Sequence, residues 1–313
     1  MRAPRIAGSC ILLSTVALAA SLSCREAAIA AGEKVMVEGS STVYRISRVA
    51  QESYAKAQPG VTVVVNSQGT GGGFRNYLAG KTDVVDASRL ATKDEQAKID
   101  ADPKLACTRF FVGYDGITVV VNPKNDFVKS LTVAQLKKLW EPDSKVTTWA
   151  DLDPSWPKRK IRLYSPDDAS GTFEYFTEAV MGKAKLQRKD VQVNADDNFL
   201  VKGVAGDADA IGYFGYAYYA ANAKKLNAVA IQAGDDAKPV RPAPATILDK
   251  SYTPLSRPLF IYVKHASMKQ PATAGFVKHY LDHVAAFAEK AMYVAPTAED
   301  LDANKKALET AGR

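Results

Sequence analysis

Cysteine is nearly absent. The chain has three in 313 residues, and Cys10 and Cys24 both fall in a segment read below as a removable leader. Cys107 is then alone, so no internal disulfide is expected, and its expected role is apolar filler. Histidine is as sparse: His265, His279 and His283. The last two are four apart on a helical pattern, but the segment is not H-E-x-x-H and no third ligand is in view. They read as surface or helix-face residues, and neither a metal nor a cofactor is expected. There is no dense basic run. The net charge of +7 is spread along the chain, which argues against nucleic acid and is compatible with a small anion. No apolar run reaches the roughly 20 residues that span a bilayer. No repeat or low-complexity tract occurs. Gly80-Lys81-Thr82 is like the end of a P-loop, but Arg75 stands where the leading glycine must be. Gly69 to Gly73 follows a strand as a dinucleotide loop would, but Phe74 takes the last glycine place. No G-x-S-x-G elbow, nucleophile–base pair or metal cluster supports catalysis, so no enzyme is expected.

What is present begins at the N-terminus. Arg2 and Arg5 precede an uncharged apolar stretch, Ile11 to Leu22, followed by small residues. This is the layout of a secretory signal peptide over residues 1–30, with Ala28-Ile29-Ala30 placing cleavage before Ala31. Lipid attachment at Cys24 is the less favoured alternative, because Leu22 sits one place too late. The expectation is an exported, periplasmic protein.

The rest alternates strand and helix patterns. Strands are expected at Val35–Glu38, Val61–Val65, Val84–Ala87, Ile117–Asn122, Ile161–Tyr164, within Ala210–Gly215, and at Leu259–Val263. Helices are expected at Val43–Ala57, Gly71–Leu78, Thr132–Leu139, Thr172–Met181 and Pro271–Glu289. This order predicts an α/β protein with parallel-rich sheets and helices on both faces. Trp149 and Trp156 are expected to pin down the loop between Pro142 and Pro157.

Three stretches share one design: Gly39-Ser40-Ser41-Thr42, Ser67 to Gly73, and Ser170-Gly171-Thr172. Each puts small hydroxyl residues and glycines between a strand and a helix. A helix N-terminus carries unpaired N–H groups and partial positive charge. Glycine lets an anion approach the backbone, and hydroxyls add donors. One such stretch is usually a plain N-cap. Three in a chain whose strand ends open on a common crevice point to oxyanion binding.

These stretches also carry a resemblance. With Asp86-Ala87-Ser88-Arg89, Tyr114-Asp115-Gly116-Ile117, Ser170 to Phe176, Gly212 to Tyr219 and Ser256 to Val263, in order over nearly the whole mature chain, the sequence resembles the PstS-type phosphate-binding proteins of ABC importers. The resemblance implies a two-lobed periplasmic-binding-protein fold of type II, with the ligand in the inter-lobe cleft. It implies lobe 1 from residues 33–116 and 257–313, and lobe 2 from 117–256. It implies capture of inorganic phosphate and delivery to membrane permease subunits, by a monomer. Carried over, the phosphate contacts are Ser41, Thr42, the Val43 backbone, Ser67, Ser88, Arg89, Ser170, Gly171 and Thr172. Where other members have an Asp after Ala-Ser, and an Arg four residues before Ser-Gly-Thr, this chain has Arg89 and Pro166. Arg89 is then expected to fork onto the phosphate, with Asp168 balancing its charge. Asp86, Asp115 and Asp168 are candidate proton acceptors; Asp167 reads as a cap. A carboxylate acceptor suits protonated phosphate and repels sulfate. Sulfate or another tetrahedral oxyanion is the alternative ligand, and a phosphatase-like hydrolase the remote one.

Overall fold

The computed structural model describes residues 33–311. The expected signal peptide and its processing site lie outside the described residues. The chain begins with β1 (Lys34–Gly39), α1 (Ser41–Ala57), β2 (Thr62–Ser67), α2 (Thr70–Leu78), β3 (Val84–Ala87) and α3 (Lys93–Ala101). A strand of 15 residues, β4 (Cys107–Val121), follows. Next come β5 (Ser130–Thr132), α4 (Val133–Trp140), β6 (Arg162–Ser165), α5 (Gly171–Met181), β7 (Gln192–Val193), α6 (Asp197–Gly206), β8 (Ala210–Gly215), α7 (Tyr216–Ala221), β9 (Asn227–Ala228), β10 (Ala230–Gln232) and α8 (Pro244–Leu248). The chain closes with β11 (Ser256–Lys264), α9 (His265–Met268), α10 (Pro271–Asp282), α11 (Val284–Lys290) and α12 (Ala298–Ala311).

The main sheet runs β2-β1-β3-β11-β4-β8-β6-β7, with β9 beside β4. Its outer groups are parallel, as the alternating pattern predicts: β1 with β2 and β3, and β6 with β7 and β8. The centre is antiparallel. β11 runs against both β3 and β4, and β4 against β8. The strands expected at Ile117–Asn122 and Leu259–Val263 are thus parts of longer ones. Residues 107–116 of β4 face β11, and 117–121 face β8. An apolar run shows that a strand is buried, but not how far it continues beyond that run.

Two large buried clusters flank this centre. One gathers Val37, Ile46, Phe110, Ile261 and Phe276, from both ends of the described chain. The other gathers Trp140, Phe176, Tyr213 and Tyr252 from its middle. Phe176 stacks on Tyr213 at 3.7 Å between ring centroids, and Trp140 meets both edge-on at 5.3 and 5.6 Å. Burying each such ring contributes about 1.5–3 kcal/mol. Trp149 is fully buried and packs edge-on against Trp156, pinning the loop as expected.

Helix ends follow local chemistry. Thr92 and Thr132 cap α3 and α4 with reciprocal Glu95 and Gln135 bonds, each satisfying two N–H groups. Gly182 ends α5 in the left-handed conformation, φ 75°. The single helix expected over Pro271–Glu289 is two. The His283 N–H turns to the Leu281 carbonyl, while its ring Nδ1 donates to the His279 carbonyl that a continued helix would have used. His279 Nε2 pairs with Ser53 Oγ at 2.9 Å. Among the described residues no group of three or more His, Cys, Asp or Glu could hold a metal ion.

Candidate functional site

Two of the three hydroxyl stretches meet head to head. Ser40 caps α1, its hydroxyl accepting from the Thr42 and Val43 N–H groups at 3.2 and 3.4 Å. Ser170 caps α5 in the same way, accepting from the Thr172 N–H at 3.2 Å. These bonds are long for N–H···O, so the donors are loosely held. Between the helices, Gly171 lies against α1. A Cβ there would sit 2.7 Å from Thr42 Oγ1 and 2.9 Å from the Thr42 nitrogen. Only glycine permits that approach. Ser41 Oγ donates to Glu174 Oε2 at 2.9 Å across the same junction. Two positive helix ends therefore meet, an arrangement suited to an anion.

The third stretch forms a wall of the cleft beside this junction. The cleft, about 700 Å³, is lined by Ser41 and Thr42, by Gln68 to Gly72, by Ser88 and Arg89, and by Glu174, Tyr175 and Arg257. Glu38 holds the glycine loop in shape, accepting from Asn66, Gln68, Asn76 and Thr82. Gly73 must be glycine, because a Cβ would lie 2.6 Å from the Glu38 carbonyl. Thr70 Oγ1 accepts the Ser88 N–H at 3.2 Å and reaches the Ser88 hydroxyl.

The expected residues divide. Ser41, Thr42, Ser88 and Arg89 line the cleft, and Gly171 packs against its α1 wall. Val43, Ser170 and Thr172 are buried at the helix starts beside it and are not part of its lining. Ser67 is exposed at the end of β2, outside the cleft lining, where the loop after it presents Thr70. The structure does not bring Arg89 and Asp168 together. Arg89 forks onto Glu95 at 2.7 and 3.1 Å, six residues along its own chain, while Asp168 is exposed and outside the lining.

The carboxylates are equally distinct. Asp86 is fully buried and turned away from the cleft, accepting from Ser47 at 2.7 Å. Burial pushes it up to about 7, with the Ser47 bond pulling the other way. Asp115 is buried opposite Arg257 in the β4–β11 ladder. Burial raises it too, against the pull of Arg257 and Arg45. Glu174 is the carboxylate bonded at the junction itself. Sequence reasoning passed over Glu174, Thr70 and Arg257. Glu174 and Thr70 stood within the hydroxyl stretches or one turn beyond. Arg257 had no local signal, since its neighbours Thr42 and Asp115 are 215 and 142 residues away.

An α/β chain whose halves share a central antiparallel pair and meet at a cleft of helix N-termini has the type II periplasmic-binding-protein architecture. Comparison agrees: residues 26–286 match the PBP superfamily domain. Over 265 residues the chain is 42% identical to Protein SphX of Synechocystis sp., spanning 84% of this chain and 78% of that protein. Over 259 residues it is 41% identical to phosphate-binding protein PstS of Staphylococcus haemolyticus, 82% of this chain and 79% of that one. The crystal structure of "a possible phosphate binding protein" from Planctomyces limnophilus superposes with a TM-score of 0.87 at 43% identity, over 91% of this chain and all of that one. An ABC-type phosphate transport receptor from Vibrio cholerae shares the fold, with a TM-score of 0.65 at 22% identity over 84% of this chain and all of that one. The chain belongs to the PstS family of the PBP superfamily.

Proposed function

We propose that this protein captures inorganic phosphate in the cleft and hands it to the permease subunits of an ABC importer, acting as a monomer in the periplasm by binding alone. Residues 33–116 and 257–313 form lobe 1 in this reading, and 117–256 form lobe 2. The observation that carries it is the head-to-head meeting of α1 and α5 at Gly171 and Thr42. Ser41, Thr42, Val43, Ser170, Gly171 and Thr172 supply neutral donors from both sides, and Thr70 and Ser88 supply them from the glycine loop. The names of the relatives support phosphate as the anion.

Phosphate is favoured over sulfate by Glu174. Its carboxylate stands in the cleft beside Ser41. A phosphate P–OH can donate to it, whereas fully ionised sulfate meets only repulsion. Asp86 is less suited because it is turned away toward Ser47, and Asp115 and Asp168 because they stand outside the lining. Isothermal titration of the wild type should show tight phosphate binding and no sulfate competition at equal concentration. Glu174→Gln should narrow that preference. Equal binding of both anions by the wild type would refute the assignment.

A further inference from the structure

Arg257 is the second residue of β11 and faces Asp115 across the ladder. Three elements converge on its guanidinium. Nη2 donates to Thr42 Oγ1 of α1 at 2.8 Å and approaches Asp115 Oδ2 of β4 at 3.4 Å. Its Cζ lies over the ring of Tyr175 of α5, 3.6 Å from the centroid. Tyr175 is itself fixed, its hydroxyl donating to the Pro254 carbonyl at 2.6 Å. The side chain is only 14% exposed, and it lines the cleft.

Its polar groups are incompletely used. Arg257 Nε and Asp115 Oδ1 are buried with no protein partner. At 3.4 Å the contact with Asp115 is a weak one, and burial biases that carboxyl toward its neutral form. A buried cation so poorly compensated is costly unless an anion completes it. Arg89 is the opposite case. It is 37% exposed, already forked onto Glu95, and bonded to the Leu90 carbonyl.

We infer that Arg257 is the fixed positive charge that binds the anion at the α1–α5 junction, and that Arg89 serves the cleft mouth. This rests on the phosphate reading. A planar, always-charged fork suits a tetrahedral oxyanion better than a point charge does. Its contacts with Thr42 and Tyr175 also tie it to both helices that close on the ligand, so it is pre-positioned by packing.

The test is titration with inorganic phosphate of the full protein and of Arg257→Ala, Arg257→Lys and Arg89→Ala. Each variant's thermal midpoint and circular dichroism are recorded alongside. Wild type that binds no phosphate would sink the functional reading itself, separately from this inference. With wild type binding, Arg257→Ala should lose affinity by on the order of a hundredfold, and Arg89→Ala by less than about tenfold. Millimolar methylguanidinium should restore part of the Arg257→Ala loss, which a merely structural role would not give. If Arg257→Ala fails to fold, Arg257→Lys decides: a loss above about tenfold in folded protein supports the inference. Folded Arg257→Ala within a few-fold of wild type, or a larger loss in Arg89→Ala, overturns it. So does a smaller loss in Arg257→Lys where that variant decides.

Discussion

Gly171 and Asp86 show how single positions separate binding from folding. Gly171 has ordinary helical geometry at the start of α5, so alanine costs the helix nothing there. The added methyl would strike Thr42 at both its hydroxyl and its backbone nitrogen. Gly171→Ala should therefore hold the two helices apart and weaken phosphate binding at least tenfold, while the ligand-free thermal midpoint stays within about 2 °C. Titration and a melting curve on the same sample check both halves. Asp86 has the reverse character. It is buried away from the cleft, and burial takes its carboxyl from 3.8 up to about 7. The folded state then holds a proton that the unfolded chain releases near 4. Stability from this group is complete below that pH and declines as pH rises toward 7. Asp197, pushed up to about 6 by burial against the pull of Arg45, acts in the same direction. The thermal midpoint of the wild type should accordingly fall between pH 5 and pH 8. Asp86→Asn should fall less over that range, by several degrees. Parallel slopes in the two proteins would place the pH dependence elsewhere.

Among the elements, α1 is the one whose start serves both fold and site. Its cap hydroxyl, Ser40, holds the Thr42 and Val43 N–H groups, so Ser40→Ala should cost about 1 kcal/mol of stability, measurable by urea denaturation, and also weaken phosphate binding. The same duality explains what could be read from sequence. Hydroxyl-plus-glycine stretches mark a helix start whichever use it has, so α1, α2 and α5 were legible to within about two residues, and a ligand cleft was implied by the resemblance, though not that α1 and α5 meet head to head. β3 was legible from its bounds because Asp83 and Ser88 flank a short run opened by two valines. What escaped depends on distance. The Arg257–Thr42–Tyr175 cluster joins residues far apart in the chain, and no periodicity reports such a meeting. Arg89 illustrates the converse. Its motif drew attention to it, yet the capping acid Glu95 of the next helix, already turned back toward Thr92, claims its guanidinium. The break at His283 also depends on a side chain competing for a backbone carbonyl, which hydrophobic spacing does not record.

For the whole molecule, ligand and fold should be linked by mass action. Phosphate at a hundred times its dissociation constant should add about 2.7 kcal/mol of stability, raising the thermal midpoint by a few degrees, and sulfate should not. Prior treatment with a chelator should leave that shift unchanged, since the proposed contacts are hydroxyls, amides and a guanidinium; its loss would reveal a metal dependence. The sheet order has another consequence, for synthesis. β11 lies between β3 and β4, yet it is made more than a hundred residues after both. Until residue 264 has left the ribosome, β3 and β4 each keep a bare edge, and the slot between them cannot be closed by any nearer strand. Such late, non-local pairing slows folding. For the periplasmic role proposed above that delay is useful: the portion before β11 stays threadable until β11 itself has been made.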